Sequence, residues 1–247
     1  MSPQSLLPAR SLRLRKVLSL PKAGDPSEDR WAASPSAGRW ALCDGASEGF
    51  DSSAWAHALA QGLARSGATS LAVANSRAAI AHSRATLARE AGGRMRDPGW
   101  LELRARSRGS WSTALLVEAS PRGRSVLVSA IGDSCLLVLD GFALRSSFPM
   151  QAGDSFTSTP DLLGDCESPS LDPPFRRARI QLAGLRRPQL LLATDALAAR
   201  LLATQSDRDA LFRFLRSASP AAFAAWARDE IAQGTMARDD LCLLWVS

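Results

Sequence analysis

Arg39-Trp40-Ala41-Leu42-Cys43-Asp44-Gly45-Ala46-Ser47-Glu48-Gly49 is where an apolar run stops abruptly at Asp-Gly, a small polar loop follows, and a helical pattern starts at Asp51. The stretch reads as a strand that delivers a carboxylate to the end of a sheet, with Gly45 letting the backbone turn and come close to a ligand. Taken alone, Asp-Gly is first of all a turn dipeptide. The functional reading gains weight from other places where the chain does the same thing.

Val126-Leu127-Val128-Ser129-Ala130-Ile131 runs into Gly132-Asp133-Ser134, Leu190-Leu191-Leu192-Ala193 runs into Thr194-Asp195, and Arg238-Asp239-Asp240 opens the run LCLLWV. Glu28 and Asp29 sit in an early charged loop, just before Trp31. Each acid has a plain reading: Asp133 as a hairpin turn, Asp195 as a helix cap, Asp239 and Asp240 as a turn, Glu28 and Asp29 as exposed charge. Together, several acids at strand ends with no His or Cys cluster beside them form the donor set that hard divalent cations such as Mg²⁺ and Mn²⁺ prefer.

Outward from that stretch, period and punctuation give the remaining elements. Residues 1–10 hold Pro3 and Pro8 and read as a flexible end, with one domain expected over 11–247. Ser11 to Leu20 alternates Leu12, Leu14 and Val17 against Arg13, Arg15 and Lys16, a half-exposed strand with one slip near Lys16. Trp31-Ala32-Ala33 resumes a short strand before a turn at Ser34-Pro35-Ser36. Trp55, Leu59 and Leu63 predict a helix over 52–65 with Asp51 or Ser52 as its cap. A longer helix is predicted from Thr69 to Ala91, with Ala74, Ala78, Ala81, Ala85 and Ala88 as a small-residue stripe for close packing, stopped by Gly92-Gly93. A shorter helix is predicted over 100–106. Strands follow over 111–119, 125–131, 135–139 and 142–148, with a turn at Asp140-Gly141. Pro149 to Pro174 is irregular, and loops of that length usually serve function or move. Strands over 179–182 and 189–193 are followed by helices over 196–202, 207–217 and 221–233 and by a last strand over 241–246.

A chain of 247 residues, 46% hydrophobic and 22% charged, can bury a full core. No apolar run reaches the roughly 20 residues of a membrane helix, so a cytoplasmic protein without membrane contact is expected. The net charge of +6 does not point to nucleic acid. Arg10, Arg13, Arg15, Lys16 and Lys22 precede the first acid, Asp25, and no aromatic residues interleave with a basic stripe. Cys43, Cys135, Cys166 and Cys242 form no CxxC pair and read as reduced packing residues. His57 and His82 lie in helical stretches and no Ser sits in a nucleophile elbow, which leaves a Ser-His-Asp triad without support.

The order Ser27-Glu28-Asp29-Arg30, Cys43-Asp44-Gly45, Gly109-Ser110 with Ser112-Thr113-Ala114, Gly132-Asp133-Ser134, Ala193-Thr194-Asp195 and Asp239-Asp240 resembles the PP2C (PPM) family of metal-dependent serine/threonine phosphatases, nearest its short bacterial members. The resemblance runs from about Leu12 to Val246. It implies an α+β fold, a four-layer αββα sandwich of two mixed β-sheets flanked by helices. It also implies hydrolysis of phosphoserine or phosphothreonine in proteins by a water that two Mn²⁺ or Mg²⁺ ions activate, in a monomer.

Residue by residue, the resemblance makes Asp44 the bridge between two metals, with the Gly45 carbonyl binding one of them through water. Glu28 would serve the second metal, and Asp195 and Asp239 the first, so that Asp44, Asp195 and Asp239 carry the reaction. Asp133 matches an acid associated with a third metal, and Asp29 would act from behind these ligands. Asp240 is the reserve choice should the register slip by one.

Two departures stand out. Ala46-Ser47-Glu48 follows Asp-Gly where many relatives place a His or a second Gly. Gly24 stands where an Arg often contacts the substrate phosphate, leaving Lys22, Arg30 or Arg39 as replacements. The alternative reading is a non-catalytic relative that keeps the fold as a regulatory binding module, and a third is a metal-dependent hydrolase of small phosphate esters.

Overall fold

The computed structural model describes residues 12–22, 26–47, 49–90, 109–156, 159–165, 173–203 and 206–247. Two five-stranded sheets form its centre. The first contains, in spatial order, β1 (Leu14–Leu20), β12 (Leu241–Val246), β11 (Pro188–Ala193), β7 (Cys135–Asp140) and β8 (Ala143–Phe148). The second runs β10 (Arg176–Gln181), β6 (Ser125–Ile131), β5 (Ala114–Ala119), β3 (Arg39–Cys43) and β2 (Arg30–Ser34). A two-stranded piece pairs β4 (Trp111–Ser112) with β9 (Leu163–Gly164). Face-to-face sheets flanked by helices are as expected. Within them every pairing among the described strands is antiparallel, a simpler arrangement than the mixed sheets expected.

Strand alternation builds the layers. Leu190, Leu192, Cys242, Leu244 and Val246 of the first sheet meet Trp40, Leu42, Leu115, Val117, Val126 and Val128 of the second, forming the layer between the sheets. The opposite faces of β11 and β12, with Leu191, Leu243 and Trp245, pack under α3 (Asp195–Ala203), α4 (Arg208–Ser217) and α5 (Pro220–Ala232). The outer face of the second sheet, with Ala41, Cys43, Ala114 and Leu116, packs under α1 (Ser52–Ser66) and α2 (Ser70–Glu90). Because β11 and β12 are buried on both faces, β12 and the Leu190-Leu191-Leu192-Ala193 part of β11 read as continuous apolar runs. Cys43, Cys135 and Cys242 are buried and free, whereas Cys166 lies outside the described residues.

The slip near Lys16 is a register shift between Leu14 and Lys16 in the pairing of β1 with β12. Three expectations need correcting. The alanine stripe of α2 is not its packing face: Ala74, Ala78, Ala81 and Ala85 are exposed, and Ala72, Val73, Ser76, Arg77 and Ile80 are buried. The contact with α1 is made at Gly62, where an added Cβ would lie 3.2 Å from the Ala72 carbonyl oxygen and would collide with the Ser76 hydroxyl. The polar residues Ser76 and Arg77 disguise this face in the sequence. At the start of α1, Asp51 adopts a left-handed conformation (φ 54°) and makes no side-chain capping bond. The strand expected over 111–119 is broken at Thr113. The helix expected over 100–106, the Gly92-Gly93 stop and residues 1–10 lie outside the described residues.

Candidate metal centre

Register decides which strand ends meet. Ala193, ending β11, lies opposite Cys135 at the start of β7 and Leu243 near the start of β12. Asp133, Asp195 and Asp239 therefore emerge at one edge of the first sheet. In the second sheet Cys43 lies opposite Arg30, and Ala114 lies opposite Ile131. That pairing brings Asp44, the Glu28-Asp29 loop, Thr113 and Gly132 to the same end. The segment Gly132-Asp133-Ser134 joins the two sheets, and the Thr113 and Ser134 hydroxyls are 3.1 Å apart across it.

At that end a cleft of about 600 Å³ opens, with Asp44, Gly45, Asp133, Asp195 and Asp239 on its walls. Asp44 is held through its backbone: its carbonyl accepts the Thr113 amide at 2.8 Å and the Ser112 hydroxyl at 2.8 Å. A Cβ on Gly45 would lie 3.0 Å from the Ser52 backbone, so only glycine lets the loop lie against the start of α1. Gly132 has φ 86°, and a Cβ there would stand 2.7 Å from the Thr113 methyl, which fixes the approach of Asp133.

Glu28 stands beside the cleft, where its carboxylate accepts the hydroxyl of Ser47, a lining residue, at 2.5 Å. Asp29 is only 6% exposed and accepts the Thr194 hydroxyl at 3.1 Å. Asp240 faces away from the cleft, and its two carboxylate oxygens accept the backbone amides of Lys22 and Glu28, each at 2.5 Å. It works as a clamp on the loop before β2. The basic candidates separate as clearly. Arg30 donates to the carbonyls of Ser27 and Asp29 and to the Ser53 hydroxyl, and Arg39 pairs with Glu118 at 2.8 Å. Lys22 is 3.7 Å from the carboxylate of Asp239, itself a cleft residue.

The electrostatics are those of acids forced together. Burial, then the charges of Asp29, Asp195 and Asp239, hold the Asp44 carboxyl well above the usual range. Burial and then Asp240 push Asp29 up to about 8, with the Thr194 hydroxyl opposing. Burial and then Asp195 push Asp133 up to about 7. Asp195 is raised by burial and by Asp239 against the Ala196 amide, and Glu28 is raised by burial against the Ser47 hydroxyl.

Oxygen donors of this kind fit divalent cations. One buried oxygen each of Asp29 and Asp133 has no hydrogen-bond partner in the protein, and positive charge among the carboxyls would offset the repulsion that raises them. As placed, no three His, Cys, Asp or Glu side chains among the described residues stand in a group that could hold a metal ion.

The sequence reading missed the burial of Asp29, the hydroxyl of Thr194 and the clamp at Asp240. Parity held a signal for one of these: Asp240 continues the inward series of Cys242 and Leu244.

Among solved structures, this fold is that of bacterial serine/threonine phosphatases, the PP2C fold that the motif order pointed to. Stp1 from Staphylococcus aureus superposes with a TM-score of 0.55 at 14% identity, over 95% of each chain. PppA, described as a key regulatory component of T6SS in Pseudomonas aeruginosa, gives 0.56 at 21% identity, over 96% of this chain and 98% of its own. The catalytic domain of the protein phosphatase PstP, in complex with 2 manganese ions, gives 0.51 at 17% identity, over 96% and 97% of the two chains. No protein-family model and no curated protein matches the sequence.

Proposed function

We propose that this chain is a PP2C-type phosphatase that hydrolyses phosphoserine and phosphothreonine in proteins and depends on Mn²⁺ or Mg²⁺. What carries the reading is that Asp44, Asp133, Asp195 and Asp239, from four separate strand junctions, line one cleft in a chain with the phosphatase fold. Asp44, Asp195 and Asp239 are the reaction-centre ligands in this reading. Glu28, the Gly45 carbonyl and Asp133 complete an oxygen donor set for two ions and a third at Asp133. Bound to these oxygens, divalent ions supply charge for the phosphoryl group and a nucleophilic water at neutral pH.

The protein's own contribution is placement. Thr113 and Ser112 fix the Asp44 backbone, Asp240 fixes the Glu28 loop, and Lys22 offers its ammonium to the substrate phosphate in place of the absent Arg. His57 and His82 are exposed on α1 and α2, so the reading needs no imidazole. No helix among the described residues is long and apolar enough to cross a membrane. The reading takes one domain over 11–247, monomeric and cytoplasmic, with a phosphorylated protein as partner.

A second reading, a regulatory binding module, draws on the placement of the acids, no three of which form a metal-holding group among the described residues. Phosphate release from p-nitrophenyl phosphate and from a phosphothreonine peptide, with Mn²⁺ and with chelator, separates the readings. Metal-dependent release from the peptide is expected. Release from neither substrate favours the binding module, and release from the small ester alone favours a small-ester hydrolase.

A further inference from the structure

The cleft has a second wall of different chemistry. Besides the acids, Trp111, Pro160 and Leu162 line it, and Trp111 is left 37% exposed. Exposed tryptophan beside a concave site is the usual mark of a contact surface.

This wall is held in place. Trp111 pairs with Gly164 in the short β4–β9 ladder, and its ring lies so close that a Cβ on Gly164 would stand 2.9 Å from Cζ3. The Trp111 carbonyl accepts the amide of Ala46, two residues beyond Asp44, at 2.9 Å. Two arginines one heptad apart on α2 secure the other side. Arg77 donates to the Gly164 carbonyl through Nε at 3.0 Å and Nη2 at 2.8 Å. Arg84 bonds the carboxylate of Asp165 and donates to the Ser110 hydroxyl at 2.6 Å, and Asp165 accepts the Ser110 amide at 3.0 Å. A rigid apolar surface binds without ordering itself first.

Resting on the phosphatase reading, we propose that Trp111, Pro160 and Leu162 form a specificity subsite for an apolar side chain next to the phosphorylated residue, with Arg77 and Arg84 as positioning residues for that wall. A volume of about 600 Å³ accommodates a phosphorylated side chain and one neighbour. An acidic or a basic neighbour would lose water against Leu162 and Pro160, a cost that an apolar neighbour does not meet.

The test compares Leu-pThr-Leu, Lys-pThr-Lys and Asp-pThr-Asp in an otherwise constant peptide, with Mn²⁺. Wild type should favour the Leu peptide in kcat/KM by about tenfold. Trp111→Ala, and independently Leu162→Ser at the rim, should bring the three within about twofold of each other. Arg84→Lys should keep more of the preference than Arg84→Ala. A preference for the Lys or Asp peptide, or a Leu preference that survives in both wall variants, overturns the subsite. Should wild type release phosphate from no peptide and not from p-nitrophenyl phosphate, the phosphatase reading falls. Anisotropy of the same peptides carrying fluorescein then decides the subsite: the same order of binding, lost in the wall variants, supports it, and equal binding of all three overturns it.

Discussion

Thr194 donates its hydroxyl to the buried carboxylate of Asp29 at 3.1 Å, and the same oxygen accepts the amide of Cys242 at 3.0 Å. One side chain thus ties the end of β11 to the start of β12 and to the loop before β2, directly behind the acids. Thr194→Val, close in shape, leaves both partners unsatisfied in a fully buried position. A loss of about 1–3 kcal/mol in urea unfolding is expected, with Thr194→Ser retaining most of the stability. Equal stability of the Val and Ser variants would show that the hydroxyl matters little.

Stability in chelator should fall as pH rises from about 4 to about 8. Asp29, at about 8 when folded, starts from an ordinary 3.8, and Asp133, at about 7, from the same value. Between those values the native state holds protons that the unfolded chain has released, so unfolding becomes easier as pH rises. Asp29→Asn should flatten the profile, and Mn²⁺ should oppose the fall. A profile that rises across this window in chelator contradicts the arrangement.

Asp44→Asn removes a charge that burial and three other acids disfavour. Turnover should drop to below about one hundredth of wild type, because the proposed shared ligand is lost, an interaction worth several kcal/mol in such centres. The metal-free protein should melt no lower than wild type. Activity near normal sinks the metal assignment, while a lower melting temperature sinks the claim of mutual repulsion.

The strands and most of the helices were legible because burial on one or both faces leaves a period. The six residues of β12 were readable in full for that reason. The packing face of α2 was not, since Ser76 and Arg77 point inward to satisfy Gly62 packing and the Gly164 carbonyl, and these needs arise elsewhere in the chain. Within the site, the strand-end acids could be collected from the motifs. Their division of labour could not: Asp239 and Asp240 are chemically identical neighbours, and only the side of the strand each faces separates a cleft residue from a clamp.

That division has its own test. Asp240→Ala removes two hydrogen bonds from backbone amides to a carboxylate, so about 2–4 kcal/mol of stability should go, together with the placement of Glu28. Asp239→Asn, at a side chain 43% exposed, should cost little stability and should weaken Mn²⁺ activation in a metal titration. If Asp240→Ala is as stable as Asp239→Asn, the clamp assignment is wrong.

Lys22 should act on substrate and not on the fold. Its ammonium lies 3.7 Å from Asp239 with 41% of the side chain exposed, so the ion pair contributes about 0–1 kcal/mol. Arg30 and Arg39 are already committed to the Ser27 and Asp29 carbonyls and to Glu118, which leaves Lys22, beside Asp239, as the basic candidate among those three. Lys22→Ala should leave the melting temperature nearly unchanged and raise KM for a phosphothreonine peptide about five- to tenfold, as expected for loss of one charged contact to phosphate. Lys22→Arg should restore most of it, and the difference between wild type and the Ala variant should shrink at high salt, where exposed charges are screened. An unchanged KM in the Ala variant removes Lys22 from the substrate site.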